Sequence, residues 1–468
     1  MEAAPAITEP TGLWAAVREA LAGTHRDYTE GRIGHAILML AVPMVLELVL
    51  ESVFAVVDVF FVSRLGADAV ATVGLTESML VIIYAIAIGL SMGAMAIVAR
   101  RIGERDRDGA ARAAVQAVLL GLGVAIPIGL GGVLFARQLL GAMGATPGVL
   151  ANSLYTTIML GANGVIMMLF LINAVFRGAG DAAIAMRVLW VANAVNIVLD
   201  PCLIFGLGPF PRLGVVGASV ATTTGRSIGV IWQLYWLARG RGRIAIRRRQ
   251  IAFDLRVMVN MVRLSGSAVF QQLVANTSWV GLVRILAAFG SQALAGYTIA
   301  IRIVIFALLP SWGLANAAAT LVGQNLGAGK PDRAATSVWR ACFYNMAFLG
   351  TVGIVFVAFP GPLVATFTRD PGVADIAVRG LRIVSSGFLF YAVGMVLTQA
   401  FNGAGDTLTP TLINVLCFWI VEIPLAYALV RGRMGAVGVF TSIAVAYSAT
   451  ALISAALFKR GRWKLKSV

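Results

Sequence analysis

The chain has 468 residues, of which 59% are hydrophobic and only 12% charged, with a mean hydropathy of +0.88 and a formal net charge of +16. Soluble domains carry about 25% charged residues, so this composition describes an integral membrane protein. Apolar runs of twenty or more exclude alternating β-barrel strands. The positive charge sits in short loops, as membrane topology requires, which removes a nucleic-acid reading.

Residues 1–35 form a mixed polar tail without the short apolar core of a cleavable leader, and a cytoplasmic N-terminal tail is expected. The first apolar segment, 36–62, carries three acids, Glu47, Glu51 and Asp58. At 100° per residue, Asp58 falls about 20° short of two turns from Glu51 and about 20° past three turns from Glu47. The three carboxylates thus form a stripe about 16 Å long on one face of a membrane helix. Such a group near the bilayer centre costs roughly 2.5–3.5 kcal/mol, so it faces a bundle interior or a watery cavity and marks proton or cation handling.

Eleven further apolar segments follow, at 70–98, 111–135, 150–175, 183–207, 214–238, 258–288, 293–323, 336–358, 376–402, 408–431 and 435–457. Twelve spans put both termini on one side, and Arg and Lys counts of about 26 against about 8 make that side cytoplasmic. The densest run, RGRGRIAIRRRQ at 239–250, marks the centre of the cytoplasmic linker.

The two halves repeat. SRLGADAVATVGL at 63–75 aligns with AAFGSQALAGYTI at 287–299, an offset of 224, and the same offset matches Gly89 to Gly313 and Gly103 to Gly327. GAGD recurs at 178–181 and 403–406. The fold expected is an all-α integral membrane protein of twelve transmembrane helices, arranged as two six-helix bundles about a pseudo-twofold axis along the membrane normal. Its units are an N-terminal tail (1–35), a first bundle (36–238), a basic linker (239–257), a second bundle (258–457) and a basic tail (458–468).

In the fifth span Asn196 and Asp200 are four residues apart and share a face, at a depth compatible with that of Asp58. Two acids at one depth repel when ionised, so the pair is expected to hold a proton or to bind a cation together with Asn196 and a hydroxyl such as Thr222. The second bundle is built differently: the positions matching Glu47, Glu51 and Asp58 are Gln271, Ala275 and Leu282. Glu422 in the eleventh span is a further acid without an evident partner, and Glu77 and Arg302 occupy nearly matched positions that suggest a pair across the bundles. Asn173, Arg177 and Asn402 lie at cytoplasmic helix ends, where a gate or turn role is expected.

Cys202, Cys342 and Cys417 lie in apolar segments without metal-like spacing, and both histidines, His25 and His35, are near the N-terminus. GxxxxGK[ST] and HExxH are both absent, and the spans hold no histidine. No enzymatic activity and no cofactor are expected, and transport must then draw on an ion gradient.

These motifs together resemble the multidrug and toxic compound extrusion (MATE) family over residues 31 to 458. The carriers are AVP with Asp58 fifteen residues after Pro43, FRGAGD at 176–181, NIVLDP at 196–201 and LVGQNLGAGK after the eighth span. The resemblance is greatest to the DinF-like prokaryotic branch. It implies export of organic cations or amphipathic toxic compounds by antiport with H⁺ or Na⁺, from a multi-pass protein of a bacterial or archaeal inner membrane, expected as a monomer. It carries an ion-coupling role onto Asp58, Asn196 and Asp200, with Thr222 as a fourth. Asn276 and Tyr391 stand where another branch has C-terminal acids, which argues against an ion site in the C-terminal half. Glu47, Glu51, Gln271, Asn276 and Tyr391 are expected to line the substrate cavity. The competing expectation is a lipid-linked precursor flippase, which would favour a cationic cavity.

Overall fold

The computed structural model describes residues 12–23, 26–240, 242–432 and 434–466. Residues 1–11, on which the absence of a leader bears, lie outside the described residues, as do His25, Arg241 and the last two residues of the basic tail. A backbone in hydrocarbon must satisfy its own polar groups, and all the long apolar segments are helical.

A short helix, α1 (Leu13–Ala22), precedes the spans of the first half. These are α2 (Ile33–Ser63), α3 (Ala67–Gly103), α4 (Arg107–Ala142), a fourth span in three pieces, then α8 (Ala182–Phe205) and α9 (Val215–Arg239). The pieces are α5 (Pro147–Ala151), α6 (Ser153–Gly161) and α7 (Asn163–Ala179). At the last break Asn163 donates to the carbonyl of Leu160 at 2.7 Å, beside the break, and to that of Ala125 on the neighbouring α4 at 3.1 Å.

The second half repeats the plan with α10 (Leu255–Ala287), α11 (Ser291–Gly327), α12 (Pro331–Ala358), the short α13 (Pro360–Ala365), α14 (Pro371–Ser386) and α15 (Phe388–Gly403). The last two form one span bent by 58°. The eleventh span runs from α16 (Leu408–Asn414) through a π-helical segment (Val415–Glu422) into α17 (Ile423–Arg431). Pro424 offers no N–H to the preceding turn, and the wider π-helical turn absorbs that loss. The twelfth span is α18 (Val437–Lys459). Eight of these helices, and the bent pair as a ninth, are long and apolar enough to cross a membrane by composition alone. α2, α9 and α10 have comparable lengths of 31, 25 and 33 residues.

The duplication is visible in detail. Gly66 and Gly290, at offset 224, start α3 and α11 with φ of 101° and 86°, a left-handed turn that favours glycine. The halves meet through close helix packing that also obeys the repeat. A Cβ on Gly89 would strike the backbone of Val269, and one on Gly313 the backbone of Val45, again 224 residues apart. Nearer the termini, Gly103 lies against the Gln324 carbonyl and Gly327 against that of Arg100.

The core is exchanged between the halves. The first turns of α2, from Ile33 to Met44, pack in one apolar cluster with α11, α12, α15 and α18, whereas Val62 near its end packs with the first half. Reciprocally, Met261 and Leu264 at the start of α10 join the first half's core, and Leu282 and Leu286 at its end join the second's.

N-terminal segment, linker and C-terminal tail gather at one end, the basic end. Lys464 pairs with Asp332 at 2.8 Å, Arg249 with Asp108 at 2.9 Å, and the Arg100 guanidinium donates to the Lys466 carbonyl. Residues 26–32 cross this end as a strap. Tyr28 donates to the Gly180 carbonyl in the first half, while Lys330 and Arg333 of the second half donate to the carbonyls of Thr29 and Glu30. Beyond the strap, the side-chain bonds between the halves, such as Gln324 to the Gly178 carbonyl and Ser265 to that of Leu90, also fall towards the basic end.

Candidate ion and substrate site

α2, α8 and α9 pack against one another and bring the predicted polar groups of the first half together. Asn196 and Asp200 share a face of α8 and are 2% and 0% exposed. Asn196 donates its amide to the Thr222 hydroxyl on α9 at 3.0 Å, a contact made possible by the close approach of Gly225 to Ala192 and Asn196. Its carbonyl oxygen has no hydrogen-bond partner, nor has either carboxylate oxygen of Asp200, nor Oδ1 of Asp58. Asp58, on the far portion of α2, lies within electrostatic reach of Asp200. Buried oxygens are satisfied as a rule, so this group of orphan acceptors is a departure that calls for a reason. Two carboxylates, an amide oxygen and a hydroxyl make a donor set of hard oxygens. Among the described residues no group of three or more His, Cys, Asp or Glu side chains is arranged to hold a metal ion.

The acidic stripe divides. Glu47 is 4% exposed and accepts from Asn173 at 3.1 Å and Arg177 at 3.5 Å, and Gln233 in turn donates to Asn173 at 2.6 Å. Glu51 is half-buried, facing Arg226 at 3.6 Å and accepting from Asn193 at 3.2 Å. Asp58 has no ion pair. Arg226, 7% exposed, also donates to Tyr84 at 3.2 Å. Glu77 is exposed on α3 and acts electrostatically on Asp58 and Arg226, and no ion pair joins it to Arg302. The cross-bundle pair expected from the repeat is therefore not formed.

Sequence reading missed Arg226, Asn193, Tyr84 and Tyr155, the last within electrostatic reach of Asp58. One signal was present for the first: an arginine inside a span requires an acidic partner, and the stripe offered three. In the second half Gln271 is 4% exposed with its amide oxygen unpaired, Asn276 is half-buried, and Tyr391 is buried and stacked on Tyr447 with ring centroids 3.8 Å apart.

A duplicated helical bundle with buried polar groups in its membrane core has the architecture of a membrane carrier. The MatE family model matches residues 43–202 and 268–428, once in each half, and the chain belongs to this family of multi-pass transporters. A relative named as a probable multidrug resistance protein, NorM of Thermotoga maritima, is 26% identical over 446 residues, covering 92% of this chain and 93% of its own. The multidrug export protein MepA of Staphylococcus aureus is 22% identical over 420 residues, covering 89% and 91%. A FAD transporter of Shewanella oneidensis is 26% identical over 403 residues, covering 84% and 87%. Among solved structures, an outward-facing multidrug resistance MATE family transporter of the MOP superfamily superposes with a TM-score of 0.87 at 25% identity, covering 95% of this chain and all of the other.

Proposed function

We propose that the protein exports organic cations or amphipathic toxic compounds across a prokaryotic inner membrane by antiport with H⁺ or Na⁺. The observation that carries this reading is the group of orphan acceptors on Asp58, Asn196 and Asp200. The basic end is cytoplasmic by the positive-inside rule, so the coupling ion enters from the far end.

An ion bound between Asp58 and Asp200 cancels their repulsion and draws α2 towards α8. α2 is rooted in the second half's core at its start and in the first half's near its end, so a change in its seating at Asp58 changes how the halves meet. Pro43, buried in α2, leaves one backbone bond unmade and gives that helix a place to bend. Thr222 completes the ion's oxygens. Glu51, Gln271, Asn276 and Tyr391 contribute polar and aromatic surface to the substrate cavity, and Glu47 adds negative potential from behind its Arg177 contact.

Cationic substrates are favoured over anionic ones. Arg177 and Arg226 are both engaged by carboxylates, so neither of these two buried arginines is free to meet a pyrophosphate such as that of FAD or of a lipid-linked precursor. The test is flux of a fluorescent organic cation from proteoliposomes under separately imposed H⁺ and Na⁺ gradients. Asp58→Asn and Asp200→Asn are each expected to cut gradient-driven flux at least tenfold. Flux that survives in both sinks the coupling assignment.

A further inference from the structure

The second half holds one acid in its membrane core, Glu422, at the end of the π-helical segment and about 20 Å along the eleventh span from Leu408. Its side chain belongs to a residue 2% exposed, and it forms no hydrogen bond or ion pair with any described residue. Neither Arg nor Lys acts on it electrostatically.

Its surroundings come from four helices. Tyr297 of α11, Tyr391 of α15 and Tyr447 of α18 each lie within electrostatic reach of the carboxyl, as does Cys417 on its own segment. Tyr391 and Tyr447 stack, Phe418 packs against Tyr447 at 5.0 Å between centroids, and Trp279 of α10 reaches the Tyr447 hydroxyl. The Tyr297 hydroxyl is itself buried without a hydrogen-bond partner. A carboxylate left ionised in such a box, with neither donor nor counter-charge, is among the costliest groups a protein can bury. A metal cation is held by several oxygens with enough negative charge among them, whereas Glu422 is the one acid in the spans of the second half. A proton needs no such set. The π-helical turn ends at the carboxyl itself, and such turns are rare and frequently lie at functional sites.

We propose that Glu422 is a second proton-carrying site, in the second half and independent of Asp58 and Asp200. While the tyrosine box is closed Glu422 is the neutral acid. When the box opens, the carboxyl O–H bond breaks, the proton passes to water and the carboxylate is hydrated. The site operates whether the Asp58–Asp200 pair takes H⁺ or Na⁺, so its test does not depend on the coupling assignment.

The test is infrared spectroscopy of the purified protein in lipid at neutral pH, in H₂O and D₂O. A C=O band of a protonated carboxylic acid, shifted by D₂O, is expected in the wild type, lost in Glu422→Gln and retained in Asp58→Asn and Asp200→Asn. Glu422→Asp keeps a carboxyl and is expected to restore a shifted band, which controls for a general effect of altering this segment. A spectrum unchanged by Glu422→Gln overturns the proposal. In proteoliposomes, Glu422→Gln is expected to exchange one proton fewer per substrate molecule. An unchanged proton count would show that the site does not release its proton in the cycle and would overturn that part.

Discussion

Glu47 and Glu51 each face an arginine, Arg177 at 3.5 Å and Arg226 at 3.6 Å, whereas Asp58 forms no ion pair and feels Arg226 only at longer range. Sequence spacing placed the three on one helical face and carried no information on what other helices bring to it. Removing one partner of a buried ion pair leaves the other uncompensated, which costs about 3–5 kcal/mol. Glu47→Leu is therefore expected to destabilise by roughly 3 kcal/mol, seen as a clear fall in apparent melting temperature at fixed scan rate. Asp58→Asn removes a charge that forms no ion pair, and its stability is expected to stay within about 0.5 kcal/mol of wild type while transport is lost. If Asp58→Asn melts as early as Glu47→Leu, Asp58 is structural and not a coupling group. Asp200 and Asn196 were legible because an acid in a span is costly wherever it stands. Arg226 was legible only in principle, since its partner is decided by how α9 turns against α2.

At the scale of elements, the glycines at the basic end act through what they exclude. Gly103 and Gly327, matched in the repeat, sit against the carbonyls of Gln324 and Arg100 with no room for a methyl group. Gly103→Ala and Gly327→Ala are each expected to push α3 and α11 apart at the basic end. Cysteines introduced there should gain reactivity towards a water-soluble thiol reagent, and an accessibility equal to wild type would remove this contact from the closure. The strap makes a second, electrostatic closure. Burial raises the Asp27 carboxyl, but hydrogen bonds from the Thr29 side chain and backbone, with Arg105 and Arg243 nearby, outweigh it and hold the group below its ordinary 3.8. A depressed carboxylate contributes stability that is present above its unfolded value and lost as pH falls through the folded one. The strap is thus expected to stay docked throughout the neutral range and to loosen only below about pH 4. Hydrogen exchange of residues 26–32 at pH 3 and pH 5 checks this, and equal protection at both would contradict it.

For the whole molecule, hydropathy, charge counts and the internal repeat were enough to give twelve spans in two halves, because each is a property of the chain taken segment by segment. The exchange of α2 and α10 between the two cores was not, since both helices are apolar along their length and sequence does not say which neighbour covers which turn. The bonds between the halves lie towards the basic end, which leaves the far end free to separate. Spin labels on Ala67→Cys and Ser291→Cys, exposed positions at matched far-end turns, are expected to report a long distance at rest that shortens when substrate and an ion gradient drive the cycle. A distance that never changes would argue against alternating access by this route.

The chain by itself determined that it spans a membrane, that it is duplicated, which end is basic and which residues are costly enough to require a reason. These follow from local composition and periodicity, which folding does not alter. Tertiary structure alone decided which acids are paired and which are left with orphan oxygens, that Glu77 lies within electrostatic reach of Arg226 and forms no ion pair with Arg302, and that Glu422 sits in a box of tyrosines. Each of those depends on the rotation of one helix against another. Helix rotation is set by packing of small residues and shared hydrogen bonds across the bundle, a sum over many contacts that no single segment contains.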